Sequence, residues 1–317
     1  MLPSTAGFFA EFRDLDAYVA SLQGADIRYT MTRPNGSVWN VGRVLLPGGI
    51  VIQSSAGGCG CILESGTPDV FVNLFLHRQG HFIALGKELD LASIVFMPPG
   101  SESITQTYGQ YGCYSILIPR QLFQVTDALR ELGSDESGRA RTIRSNSARG
   151  DSARPLLARF ISNIAANPEI LRSPGSLAEF RDELIDVLAR EYRQKPEARP
   201  ARGERIPKVD VTVISRAVDA IEASSGPRMT MTGLTDMTGV PERSLRDGFN
   251  RYLGVSPNQY MQLRALHKAH SRLASGSPEE TTVARVATDL GIWDLGRFAA
   301  RYRRVFGELP SATLRRC

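Results

Sequence analysis

Residues 234–257 read LTDMTGVPERSLRDGFNRYLGVSP, and residues 287–310 read ATDLGIWDLGRFAARYRRVFGELP. Laid over one another with a shift of 53 residues, the two stretches agree slot by slot. Leu234 falls on Ala287, Asp236-Met237 on Asp289-Leu290, Leu245 on Phe298, Phe249 on Tyr302, and Leu253-Gly254 on Phe306-Gly307. Both end in Gly-x-x-Pro, at Gly254–Pro257 and Gly307–Pro310. A repeat of this length marks a duplicated supersecondary unit. Each copy has an apolar rhythm of 3.6 residues broken by a three-residue turn that contains glycine: Gly239-Val240-Pro241 in the first, Gly291-Ile292-Trp293 in the second. Helix, short glycine turn, second helix is the pattern of a helix-turn-helix unit, whose second helix enters the major groove of DNA.

Working outward, residues 209–317 read as all-helical, with helices over 209–224, 230–238, 242–253, 257–275, 281–290, 294–305 and 310–315. In the second helix of the first copy, Leu245, Phe249, Tyr252 and Leu253 make the inward stripe. Arg243, Ser244, Arg246, Asp247, Asn250 and Arg251 remain for the outside. In the second copy Leu295, Phe298, Tyr302 and Val305 are expected inside, and Arg297, Ala300, Arg301 and Arg304 outside. Arginine forks suit guanine edges and phosphate oxygens. Charge agrees with that partner. From Ile206 onward there are 16 Lys and Arg against 11 Asp and Glu, a surplus of five. The preceding 205 residues hold 22 of each, so the whole +5 of the chain lies in its last third.

These two segments, together with the run Leu263-Arg-Ala-Leu-His-Lys-Ala269 between them, resemble the DNA-binding unit of AraC/XylS-type transcription regulators. The resemblance covers about 110 residues. It implies two helix-turn-helix units joined by the long helix at 257–275, with Arg243, Ser244 and Arg246 reading from the first, and Leu295, Gly296, Arg297 and Ala300 from the second. Ile292-Trp293 and Asp247 depart from the usual family pattern. The Trp-Asp-Leu-Gly-Arg-Phe run at 293–298 is similar to ethanolamine-utilisation-type members.

Upstream the texture differs. Between Ile27 and Ile118, runs rich in Val, Ile, Thr, Tyr and Phe alternate with Gly and Pro. Strands are expected at 27–32, 37–46, 50–55, 69–76, 80–85, 93–97, 102–107 and 113–118. Residues 9–23 have helical spacing, as do 119–132, 153–166 and 175–193, the last with Leu177, Phe180, Leu184, Ile185 and Leu188 on one face. The stripes of the last two helices can pack on the strands or pair two protomers as a homodimer. Residues 194–207 carry three prolines and little apolar content, the composition of a linker. The expected fold class is therefore α+β. A cupin-like β-barrel or sandwich with flanking helices occupies 1–193, and an all-α double helix-turn-helix domain occupies 208–317.

For the first domain the resemblance implies a small-molecule sensor, since members of that family often pair this unit with one built on a β-barrel, and the strand pattern at 27–118 fits that. Arg28, Arg33 and Arg43 near the first strands, and Arg139, Arg141 and Arg144 in the polar stretch 133–152, are candidate contacts to an anionic effector, a cyclic dinucleotide or a metabolite. Catalysis and metals find little support. His77 and His81 lack a third ligand, and Cys59, Cys61, Cys113 and Cys317 have neither the paired spacing of a metal knuckle nor an adjacent base. No metal or cofactor is expected, and no enzyme. A DNA-acting enzyme using a reactive cysteine, or a non-catalytic cupin-like binding protein, remains as the alternative. No secretory leader and no apolar run long enough to span a membrane is apparent, which leads to the expectation of a cytoplasmic protein. By analogy with the family, an activator would also meet RNA polymerase.

Overall fold

The computed structural model describes residues 7–13, 15–22, 26–32, 38–58, 61–66, 69–75, 80–133, 140–145, 152–193, 209–224 and 229–316. In chain order the strands and helices are β1 (Gly7–Phe12), α1 (Leu15–Ser21), β2 (Asp26–Met31), β3 (Trp39–Leu45), β4 (Val51–Gly58), β5 (Cys61–Gly66), β6 (Val70–Phe75), β7 (Gly80–Ala84), β8 (Lys87–Glu88), β9 (Ser93–Met97), β10 (Glu102–Ile118), α2 (Asp127–Gly133), β11 (Arg141–Arg144), α3 (Ala153–Ala166), α4 (Pro174–Tyr192), α5 (Val211–Ala223), α6 (Met231–Thr238), α7 (Glu242–Leu253), α8 (Pro257–Ala274), α9 (Val283–Asp289), α10 (Leu295–Phe306) and α11 (Pro310–Leu314).

One strand organises the N-terminal part. The stretches 102–107 and 113–118, expected as two strands, form the single strand β10, which turns at Gly109 with φ of 90°. Glycine adopts that angle without the Cβ clash other residues meet. Before the turn β10 pairs with β5 and β7, and after it with β4 and β6, all antiparallel. It thus belongs to two sheets, one ordered β1-β3-β4-β10-β6-β9-β11 and the other β2-β5-β10-β7-β8. Because side chains alternate across a strand, each face of the first sheet has its own partner. Ile52, Val72, Leu74, Ile94, Phe96 and Ile116 meet Leu129, Leu156, Leu157, Leu184 and Leu188 of α2, α3 and α4. Phe71, Val95, Met97 and Leu117 point the other way, toward Ala84 and Leu89. The stripe on α4 is spent here, with Phe160 and Phe180 stacked at 3.6 Å, so it is buried in the core of one chain.

Four local differences from the sequence pattern have physical causes. Residues 9–23 divide into β1 and α1. Pairing of Gly7–Phe12 with Trp39–Val44 overrides a helical spacing too short to nucleate alone. β5 is a strand that the flanking glycines hide, and it pairs with both β2 and β10. Arg141–Arg144, within a stretch that reads as polar, completes the edge of the first sheet beside β9. Leu295, expected inside, is 42% exposed. It is the first residue of α10 and its side chain lies short of the core that Phe298, Tyr302 and Val305 enter.

The outer face of the second sheet is not left to solvent. Ile62 and Ile104 join the core formed by Val209, Ile214, Leu245, Phe249 and Tyr252 of the helical region. Arg28 pairs with Asp219 at 3.2 Å, and Gln106 Nε2 donates to the carbonyl of Arg251 at 3.3 Å. Arg264 of α8 binds Glu222 through two nitrogens and also donates to Thr30 Oγ1 at 3.0 Å and the Tyr29 carbonyl at 3.3 Å. Burial pushes the Glu222 carboxyl up, but the Arg264 hydrogen bond and charge more than offset it and hold its pKa below the usual value. No helix among the described residues is long and apolar enough to cross a membrane.

Candidate nucleic-acid interface

The first unit is α6, a turn and α7. Thr230 caps α6 by accepting from Gly233 N, and Gly239 ends it in the left-handed region at φ 66°. Pro241 then precedes α7, where a missing N–H costs nothing. Leu245, Phe249, Tyr252 and Leu253 are buried as expected. Arg243, Arg246, Asp247 and Asn250 are exposed and Ser244 is half-buried. Arg246 is engaged side-on by its own helix, with Nε and Nη2 donating to Glu242 Oε1 at 2.9 and 2.6 Å. Arg251 is half-buried, its side chain packed beside Gly86 of the β7–β8 turn.

The second unit repeats the plan. Thr282 caps α9 through Arg285 N, Gly291 makes the turn at φ 70°, and Asp294 caps α10 by accepting from Arg297 N at 2.9 Å. Phe298, Tyr302 and Val305 are buried. The Tyr302 hydroxyl lies 2.7 Å from Thr313 Oγ1 and 2.6 Å from His270 Nδ1, tying α10 to α11 and α8. Burial pushes that phenol up to about 12. On the other side Arg297, Ala300, Arg301 and Arg304 are all exposed, and Arg297, Arg301 and Arg304 follow one another at helical spacing along one face. Arg303 adds a fourth exposed arginine that periodicity alone did not single out, in the last turn where the helix dipole favours cations. Trp293, at 79% exposure, and Leu295 flank the start of the helix. Of the two, only Leu295 was expected inside, and its place at the first helical position turns it outward.

Between the units runs α8, capped by the reciprocal pair Ser256 and Gln259. Its 18 residues extend for roughly 27 Å.

The arginines considered for an effector are not gathered in one place. Arg28 faces Asp219 outside the second sheet. Arg43 points between the sheets, where Nη2 reaches Gln53 Oε1 at 3.1 Å and the Ser21 carbonyl. Arg141 lies 3.5 Å over the Tyr192 ring, and Arg144 pairs with Asp90 at 2.6 Å. Arg33, Arg139, His77 and the linker 194–207 fall outside the described residues. The space between the sheets is unusually polar. Gln53, Ser55, Thr105, Thr107 and Ser115 are buried there, and the Tyr111 hydroxyl meets those of Tyr18 at 2.8 Å and Tyr29 at 2.6 Å. Cys113 sits among them, its pKa raised by burial, so its thiol is held protonated and unreactive. No group of three metal-binding side chains occurs among the described residues.

A family profile described as a helix-turn-helix domain matches residues 234–316. The XylDLEGF operon transcriptional activator of Pseudomonas putida is 35% identical over 102 residues, 32% of each chain. The probable thc operon regulatory protein of Rhodococcus erythropolis is 32% identical over 130 residues, 41% of this chain and 36% of that one. Among solved structures, a probable AraC family transcriptional regulator from Rhodopseudomonas palustris is 36% identical, covering 33% of this chain and 96% of the other, with a TM-score of 0.31. The match thus spans about a third of the length of these curated relatives. The C-terminal region of the chain, over residues 234–316, is a helix-turn-helix domain of the AraC/XylS type.

Proposed function

We propose that the chain is a sequence-specific DNA-binding transcription regulator, an activator, divided into a sensor domain at 1–193, a linker at 194–207 and a DNA-binding domain at 208–317. The observation that carries this is the pair of helices α7 and α10. Each is fixed by its own apolar core and each presents Arg, Ser, Asn or Ala outward on the side away from that core. Double-stranded DNA is the partner that two such helices suit. In the proposed division of labour, Arg243 and Arg297 read base edges, with Ser244, Arg246 and Ala300 beside them. Asn250, Arg301 and Arg304, further along each helix, hold the backbone, whereas Arg251 would reach it only on leaving the β7–β8 turn. Action on DNA places its work in the cytoplasm, and recruitment of RNA polymerase would complete activation. The similar XylDLEGF operon protein of Pseudomonas putida, called a transcriptional activator, supports this reading.

We read the first domain as a cupin-like sensor without catalytic activity. Its polar interior supports an effector site between the sheets, with Arg43 the arginine best placed to meet a carboxylate or phosphate. Arg28, Arg141 and Arg144 then lie outside it or at its edges. A melting screen over carboxylates, amines and cyclic dinucleotides tests this. A ligand at 100 times its Kd should stabilise the native chain by about 2.7 kcal/mol. Arg43→Ala should abolish the response, and absence of any responding compound would remove the sensor reading while leaving DNA binding in place.

A further inference from the structure

We infer that Asp294 is a positioning residue that presets Arg297 as a guanine reader, so that the DNA site facing α10 contains a guanine that the site facing α7 does not share by the same device. This rests on the DNA-binding function proposed above. Asp294 uses its two oxygens for two tasks. Oδ1 caps the helix by accepting from Arg297 N at 2.9 Å, and Oδ2 pairs with Arg297 Nε at 3.2 Å. The guanidinium has five N–H donors in a rigid fork. With Nε held within 3.2 Å of the carboxylate, both terminal nitrogens are left, and they are the pair that meets guanine O6 and N7. Arg297 has no other polar partner among the described residues, and its side chain is 80% exposed. Gly296 beside it has no Cβ to hold a base edge away, since one built there would meet only Asp294 Oδ1, at 3.6 Å.

In the first unit the 53-residue shift sets Ser244 in the place of Arg297 and Pro241 in the place of Asp294, so the device is not repeated, and the nearby Arg246 is held differently. Glu242 takes Arg246 through Nε and Nη2 together, which occupies one edge of the fork and leaves no matched terminal pair. In solution an exposed pair of this kind contributes little to stability. Its value here is to reduce the rotamer freedom that Arg297 would lose on meeting a base, and to resist its turning toward a phosphate.

Selection of bound duplexes from a random pool by the full chain tests this, followed by titration of the selected site with the guanine replaced by each other base. The wild-type chain should favour guanine at one position in the α10 half-site by roughly tenfold or more. Asp294→Ser keeps an oxygen to cap Arg297 N and loses the carboxylate. It should reduce that preference several-fold while affinity for random duplexes stays level or rises. Asp294→Asn, which keeps a neutral acceptor, should fall between. In an Arg297→Ala background Asp294→Ser should change the preference no further. A role limited to capping would move stability and leave the base preference untouched. Retention of the full guanine preference in Asp294→Ser, with Asp294→Asn equal to it, overturns the inference but not the DNA-binding function. Failure of the wild-type chain to bind any duplex removes both.

Discussion

Two glycines with nearly the same backbone angles allow the contact between the helical region and the second sheet to be measured. Gly239 ends α6 at φ 66°, ψ 14°, and Gly254 ends α7 at φ 66°, ψ 9°. Changing either to alanine places a Cβ in the left-handed region, at a cost of about 1–2 kcal/mol. Around Gly239 a Cβ would meet nothing within 4 Å, so Gly239→Ala should cost that amount and no more. Around Gly254 it would stand 2.2 Å from Gln106 Oε1 and 2.4 Å from the Tyr108 hydroxyl, both on β10. Those side chains must move. Their movement breaks the bond from Tyr108 to Gln106 at 2.8 Å and that from Gln106 to the Arg251 carbonyl at 3.3 Å. At about 0.5–1.5 kcal/mol each, the extra loss is about 1–3 kcal/mol. Urea unfolding of the full chain, followed by helix circular dichroism and by tryptophan emission from Trp39 in the sheet region and Trp293 in the helical region, gives both losses. With Gln106→Ala and Tyr108→Ala already in place, the excess at Gly254 should disappear, as a double-mutant cycle requires. Equal losses at Gly239 and Gly254 would refute the packing of α7 against β10.

Three further outcomes are expected. Arg304→Ala should weaken binding to all duplexes alike and lower the slope of log K against log salt by about one, whereas Arg297→Ala should relax a single base position at a cost of about 1–3 kcal/mol, as parallel titrations at two salt concentrations would reveal. His267 of α8 lies 3.1 Å from the Met31 carbonyl, among Arg264, His270 and Glu222; burial, aided by the Arg264 charge, pushes it down to about 3. Its native pKa lies below the unfolded one, so its contribution is complete above about pH 6.5 and is lost as pH falls toward 3, at up to about 1.4 kcal/mol per unit; His267→Gln should flatten the acid side of the stability profile over that window. Tyr302→Phe should cost about 1–3 kcal/mol in thermal or chemical unfolding by leaving Thr313 and His270 without their shared hydroxyl.

The helix-turn-helix region was legible because every level of its sequence agrees. The 3.6-residue rhythm of Leu245, Phe249 and Tyr252 has a stop at Gly254 and a start at Pro257, and the second copy repeats it. The exposed residues of α7 and α10 were legible for the same reason, since a helix with one buried face assigns the other to solvent. Leu295 escaped because periodicity does not register that a first helical residue sits beyond the core. The sheets were legible as strands but not as a topology. Nothing in Glu102–Ile118 says that a turn at Gly109 passes one strand between two sheets, since pairing is decided by residues far apart in the chain. Hidden too was the docking of the helical region. Ile62, Ile104 and Arg28 look like ordinary strand residues, and their partners Val209, Ile214 and Asp219 lie more than a hundred positions away.

The most direct test is titration of the full chain with a random duplex and with a duplex selected for binding, at two salt concentrations. Binding to both should weaken with salt, by a log–log slope near −0.9 for each phosphate held, and the selected duplex should be bound at least roughly a thousandfold more tightly than the random one. Equal affinity for the two duplexes, or no binding to either at low salt, would contradict a sequence-specific regulator.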